Sequence, residues 1–224
     1  MRIGLFGGTF NPVHIGHLRV ALEILEGFDL SCCYLIPSAI PPHKQSKGVI
    51  DAEHRLEMLR LAAGTTPGFC VSDVELNRRG PSYTIDTVRF FKSMLPPGAA
   101  LHFIVGVDAF LEIDTWHRYM ELFQEISFIV MTRPADAGDV EPAGGNRYLE
   151  AFVRETISSD YRAGISPFGE YLFHPTLRPV YRYSVSALAI SATHIRHLIK
   201  TGKSIRFLVP DKVEAYIKSK GLYT

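Results

Sequence analysis

Two short strings carry residue types suited to binding phosphate. The first is Gly7-Gly8-Thr9-Phe10-Asn11-Pro12-Val13-His14-Ile15-Gly16-His17. Gly7 and Gly8 have no side chains, so backbone N–H groups there can approach an anion closely. Pro12 stiffens the turn, and a helix starting near Ile15 would aim its positive end at the same space. Gly16 would let a ligand lie over that first turn. His14 and His17, three apart, can face one ligand. Such a set suits a polyphosphate whose charge grows during reaction. The string contains neither GxGxxG nor GxxxxGK[ST], so it is not a dinucleotide fingerprint or a P-loop. The second string is Ile190-Ser191-Ala192-Thr193-His194-Ile195-Arg196. Ser191 is a good N-cap, the Ser191 and Thr193 hydroxyls with the helix N-terminus form a second anion site, and Arg196 can fork onto phosphate oxygens. Each string has an ordinary alternative: two histidines that cap and pack, and a capped helix with a solvated arginine.

The elements that must position these strings are legible from periodicity. Ile3–Phe6 reads as a buried parallel strand. Leu18, Ala21, Leu22 and Leu25 fall on one helix face. Residues 33–36 and 69–76 read as strands. Asp51 can cap a helix with Leu56, Leu59 and Ala63 on one side, and Thr84 can cap one carrying Val88, Phe91 and Leu95. Residues 101–105 and 127–132 read as strands, the first ending at Gly106-Val107-Asp108. Residues 135–180 are read as a variable excursion with one helix near 148–157. A strand over 185–190 and helices near 191–201 and 210–219 follow. This alternation predicts an α/β fold, a doubly wound parallel sheet with a small C-terminal helical subdomain. The predicted organisation is one domain over 1–224, with a core of 1–189 and a helical part of 190–224.

Composition bounds the function. The 224 residues carry 24 Lys+Arg against 23 Asp+Glu, a net charge of +1. That balance disfavours binding nucleic acid or a membrane surface by bulk charge. Residues 184–224 are locally basic, with seven Lys+Arg and two Asp+Glu. No apolar run is long enough for a membrane span or a signal-peptide core. Cys32, Cys33 and Cys70 form no CxxC, so neither a zinc site nor a redox motif is indicated, and three buried thiols in a reducing cytoplasm are expected. A homo-oligomer is left open.

Together the two strings resemble the nucleotidylyltransferase superfamily, and within it the bacterial nicotinate-nucleotide adenylyltransferases. The resemblance runs from residue 2 to about 217 and is weakest across 135–180. It includes Pro41-Pro42-His43-Lys44, Arg55, Ser82-Tyr83-Thr84-Ile85-Asp86-Thr87, Gly106-Val107-Asp108, Thr115-Trp116, Arg133-Pro134 and Val209-Pro210. It implies a Rossmann-like nucleotidylyltransferase fold and AMP transfer from ATP to nicotinate mononucleotide, giving deamido-NAD and pyrophosphate in NAD biosynthesis. It implies that His14, His17 and Arg196 act on the ATP phosphates. Gly7, Gly8, Thr9, Phe10 and Gly16 would lie beside the nucleotide, with Ser191 and Thr193 on its terminal phosphates. Lys44 would reach the phosphates from a loop over 41–48, the candidate lid. Asp108 would bond a ribose, Trp116 would stack on the pyridine ring, and Thr84 would contact its carboxylate through the backbone. Mg²⁺ would be carried by the ATP phosphates, with no protein metal site. Trp116 as plain core, Lys44 as a solvated side chain and Arg55 as an ion-pair residue on its helix remain open alternatives. Arg55 therefore stays outside the candidate set. Asn11 departs from the Asp of many members, and His117 follows Trp116 with no assigned role.

Other readings compete. The amide-bearing nicotinamide mononucleotide, alone or alongside the acid, is an alternative acceptor. His14-Ile15-Gly16-His17 also matches the HIGH string of class I aminoacyl-tRNA synthetases, and Lys44-Gln45-Ser46-Lys47 resembles their KMSKS loop. That loop comes too soon in this chain, and 224 residues leave little room for a tRNA-binding domain. An inactive nucleotide-binding regulator is a further reading, disfavoured by intact His14, His17 and Arg196.

Overall fold

The structure is a computed structural model, and it describes residues 1–40, 48–64, 66–132, 145–186 and 188–224. In chain order the elements are β1 (Arg2–Gly8), α1 (Ile15–Gly27), β2 (Cys32–Pro37), α2 (Ala52–Ala63), β3 (Phe69–Val71), α3 (Thr84–Met94), β4 (Ala100–Gly106) and α4 (Val107–Phe110). A 3₁₀ turn over Ile113–Thr115 precedes α5 (Tyr119–Glu125), β5 (Ser127–Thr132) and α6 (Gly145–Thr156). Then come β6 (Arg162–Ser166), β7 (Gly169–Phe173), β8 (Val180–Ser184), α7 (Ala192–Lys200) and α8 (Asp211–Lys220). The strands form one mixed sheet in the order β3-β2-β1-β4-β5-β8-β7-β6.

The chain divides into two compact units, and β1 begins in one and ends in the other. Leu5–Ser82 with residues 188–224 make up the unit that holds both phosphate-type strings. Its strand core is Leu5, Phe6, Cys33, Leu35 and Ile36, and α2 buries Leu56, Met58, Leu59 and Ala63 against it. α1 buries Ala21, Ile24 and Leu25. α8 docks on α2 through Val213 and Ile217, and His54 Nδ1 lies 2.8 Å from the Tyr216 hydroxyl.

The other unit comprises Met1–Gly4 and Tyr83–Ser186. β4, β5 and β8 run parallel in register, Phe103 opposite Phe128 and Phe128 opposite Val180. α3 packs on α5, tied by Arg89 to Glu121 and Lys92 to Glu125. Phe110, Phe123 and Phe128 fill the centre with edge-to-face and tilted ring contacts.

Several local expectations change. The α/β class stands, but the sheet is not wholly parallel. β6 and β7 lie inside the stretch read as variable and form an antiparallel meander with β8, with Pro167 and Phe168 at the β6–β7 hairpin turn and Gly169 at φ 106°. The strand expected at 185–190 lies at Val180–Ser184 instead. The stacked rings of Tyr171 and Tyr181 and the pairing with β5 select that register, and Val185 N–H makes the last ladder bond, to Thr132 O. β3 stops at Val71: Ser72 N–H makes the last ladder bond, to Leu35 O, and the chain then turns, with Leu76 N–H bonded to Asp73 O. Asp51 sits at the N-cap of α2 without a side-chain cap bond, and Tyr83, not Thr84, is the N-cap of α3.

Only Cys33 is a buried thiol, its pKa pushed up to about 12 by burial. Cys32 and Cys70, on neighbouring strands and partly exposed, are joined as a disulfide. Among the described residues no helix is long and apolar enough to cross a membrane.

Candidate functional site

Beyond β1 the chain enters a turn that the sequence makes narrow. Phe10 takes a left-handed φ of 47°, and the Asn11–Pro12 bond is cis. Gly8 permits a close approach: a Cβ there would lie 3.0 Å from the Phe10 ring, which would have to give by a few tenths of an ångström. Ile15 N–H, at the start of α1, bonds to Leu208 O, which ties the helix entry to the segment before α8.

The two histidines form a stacked pair, with centroids 3.6 Å apart and planes 24° apart. His14 N–H lies 3.3 Å from His17 Nδ1. An N–H can only donate, so His17 Nδ1 is the acceptor and the neutral ring carries its proton on Nε2. His17 thereby presents a donor suited to a phosphate oxygen. His14 is buried, its Nδ1 makes no hydrogen bond among the described residues, and burial pulls its pKa down to about 4. It is therefore neutral at pH 7. Gly16 serves this ring: a Cβ at residue 16 would stand 3.1 Å from His14 Nδ1. The space expected for a ligand over the first turn of α1 is partly filled by that imidazole.

Ser191 is the N-cap of α7 as expected, its Oγ accepting from His194 N–H at 3.2 Å. Arg196 lies one turn into that helix, which is seated by buried Ile195. Arg196 is not simply a solvated side chain. Its Nη1 donates to Asn11 O at 2.7 Å and its Nη2 to Thr193 Oγ1 at 3.1 Å. The guanidinium plane is thus fixed beside the first string, and two of its five N–H groups are used in doing so.

Asn11 is the hub that sequence reasoning passed over. Its Nδ2 donates to Gly48 O at 2.8 Å, and its Oδ1 accepts from Ile50 N–H at 3.3 Å and from the Tyr223 hydroxyl at 2.9 Å. An aspartate could not make the first of these bonds. Arg55, set aside as an ion-pair residue, is 1% exposed and donates to three carbonyls: Thr9 O (2.8 Å), Ile50 O (3.1 Å) and Ala39 O (3.3 Å). It fastens the first string to both flanks of residues 41–47. The one signal that could have found it is its place on α2 among Leu56, Met58 and Leu59, on the buried side of the helix.

Thr84, Asp108 and Trp116 belong to the other unit. Thr84 opens α3, and Asp108 is exposed in α4 just after β4. Trp116 is half-buried with its ring edge-to-face on Phe103, at 5.9 Å and 87°, so one side of it serves the core. The neighbouring His117 stacks on Tyr83 at 4.2 Å and 26°. Lys44 and most of the expected lid, residues 41–47, lie outside the described residues.

A mixed α/β sheet whose first strand-to-helix turn carries two stacked imidazoles and anchors an arginine from α7 fits a nucleotidyl-transfer protein. The chain belongs to the cytidylyltransferase-like family, whose profile matches residues 5–198. It is 44% identical to a protein of Desulfatibacillum aliphaticivorans over 100% of both chains, and 46% identical to one of Pseudomonas fluorescens over 99% and 97%. Both carry the name "probable nicotinate-nucleotide adenylyltransferase". The fold matches a Plasmodium falciparum nicotinic acid mononucleotide adenylyltransferase complexed with NaAD, with a TM-score of 0.69 at 17% identity, covering 99% of this chain and 97% of that one. Relatives that span the whole chain set aside the aminoacyl-tRNA synthetase alternative.

Proposed function

We propose that the chain is a nicotinate-nucleotide adenylyltransferase. It transfers AMP from ATP to nicotinate mononucleotide, releasing pyrophosphate and deamido-NAD, in NAD biosynthesis. The observation that carries this reading is the donor set on one unit: neutral His14 stacked on His17, and Arg196 held by Asn11 O. In the reaction the mononucleotide phosphate attacks the α-phosphorus in line, and the bond to the β-phosphate oxygen breaks. The nucleophile is already ionised at neutral pH, so no general base is needed. Catalysis consists of positioning and of donors aimed at growing negative charge.

His17 donates from Nε2 to the phosphates, and His14, held neutral, gains a partner when the polyphosphate arrives. Arg196, with Ser191 and Thr193 at the α7 N-terminus, holds the β- and γ-phosphates. Gly7, Gly8, Thr9 and Phe10 lie beside the nucleotide. Asp108 binds a ribose, while Thr84 and Trp116 receive the pyridine ring and its carboxylate. Lys44 belongs to the same proposal as a phosphate contact. Mg²⁺ is the proposed divalent ion. Among the described residues no group of three or more His, Cys, Asp or Glu could hold a metal. The donors at the phosphate end are imidazole, hydroxyl and guanidinium, which fit an anion better than a hard dication. The ion would therefore bind phosphate oxygens, and no step above depends on a protein ligand to it. The protein is placed in the cytoplasm as part of this proposal.

The test is kcat/KM for nicotinate mononucleotide and its amide, measured side by side. The acid should win by at least about tenfold, the effect of leaving one polar group poorly paired. Equal values would remove the acid preference. No turnover on either would remove the function.

A further inference from the structure

The segment after α8 reaches the proposed phosphate site by a route that the local pattern does not announce. Gly221, at φ 58°, ends α8, and Leu222 N–H returns to Ile217 O. The chain then turns back, and Tyr223 takes a left-handed φ of 65° that a tyrosine seldom adopts. Both Leu222 and Tyr223 are buried, and the Tyr223 hydroxyl reaches Asn11 Oδ1 at 2.9 Å across 212 residues of sequence.

The direction of that bond is decided by its neighbours. Gly48 O can only accept and Ile50 N–H can only donate, so the Asn11 amide has one orientation, with Oδ1 toward Ile50 and Tyr223. Tyr223 must then be the donor. Burial raises the pKa of its hydroxyl, which keeps the proton in place. The side chain of Asn11 is thus held from three directions, by Gly48, Ile50 and Tyr223. The same residue offers its main-chain oxygen to Arg196. A shift of the Asn11 side chain moves the peptide that seats the guanidinium.

We propose that Tyr223 is a positioning residue for nucleotide transfer: by donating to Asn11 Oδ1 it holds the Asn11 peptide in the place where its carbonyl orients Arg196. This rests on the reading of Arg196 as a phosphate ligand. Tyr223 touches no reacting atom and acts only through Asn11 and Arg196.

Tyr223→Phe removes one oxygen and keeps the ring. In the whole chain it should lower kcat at saturating ATP and nicotinate mononucleotide about two- to tenfold, the range of one neutral hydrogen bond. KM for the mononucleotide should hardly move, and the melting temperature should fall by no more than the roughly 2–5 °C that one neutral hydrogen bond is worth in a chain of this size. The Arg196→Lys background supplies the decisive comparison, because a lysine has no guanidinium plane left to orient. There, adding Tyr223→Phe should change kcat by less than about twofold. A residue that served only to hold the fold would cost the same factor in both backgrounds, and that result overturns the proposal. No loss in the wild-type background overturns it as well. A wild-type chain with no turnover would instead refute the functional reading. The positioning claim is then decided by hydrogen exchange at the Arg196 guanidinium, read by NMR: faster exchange in Tyr223→Phe supports it, and unchanged exchange overturns it.

Discussion

The turn from Gly7 to His17 and the meander from Arg162 to Ser184 are built on opposite plans. In the turn, polar groups converge from distant parts of the chain: Arg55 on Thr9, Tyr223 and Arg196 on Asn11. In the meander, neighbouring strands pair antiparallel, and the stacked rings of Tyr171 and Tyr181 cover one face. Each polar bond of the turn fixes one atom beside the proposed chemistry. The meander distributes its stability over many interchangeable contacts. Loss of a single atom should therefore affect turnover in the first region and only stability in the second.

The largest expected effect is His17→Ala. It removes the proposed donor to the phosphates together with the acceptor for His14 N–H, and kcat should fall by about a hundredfold or more with little change in KM. A variant in which only KM rises would make His17 a ground-state contact and weaken the contrast. In the meander, Gly164→Val is the counterpart. A Cβ there would meet Tyr171 Cε1 at 2.9 Å, so a bulky side chain forces the hairpin to shift. The melting temperature should drop by several degrees, for a cost of about 1–3 kcal/mol, while kcat stays near that of the wild type. A large loss of turnover in a folded Gly164→Val would break the comparison.

The last expected effect is a pH dependence that the turn shares with β4, which lies outside the meander. His14 in the turn and His102 on β4 are both buried, and both imidazoles are pulled down to about pKa 4. The cause is burial, to which the Arg2 charge adds for His102. The unfolded chain takes up these protons near pH 6.5, whereas the folded chain does so only near pH 4. Stability should therefore be fully present above about pH 6.5, decline as the pH falls, and level off for these groups below about pH 4. Melting curves between pH 4 and 7 check this. His102→Phe should flatten the slope, and an unchanged slope would show that His102 does not carry it.

Much of the site was legible because phosphate chemistry is local. Ser191 caps α7 as its type and place foretell, and His14 and His17 meet because they sit one turn apart. β5 occupies residues 127–132 because an apolar run between an α-helix and a proline- and glycine-rich sequence has few other options. Arg55 was not legible, since a charged residue on an amphipathic helix ordinarily points to water. It is buried only because three carbonyls from separate loops surround it. The shift of the last strand to Val180–Ser184 has the same origin: pairing with β5 and β7, not local apolarity, selects that segment.

By itself the sequence determined the reaction class and the α/β class of fold, and it supplied the candidate phosphate donors, because those depend on residue types within a few positions of each other. Tertiary structure decided which tautomer His17 holds, that Asn11 is a hub, and that Arg55 and Tyr223 serve it. These outcomes depend on hydrogen bonds between residues far apart in the chain, up to 212 positions for Tyr223 and Asn11. A buried polar atom takes whichever partner folding brings to it.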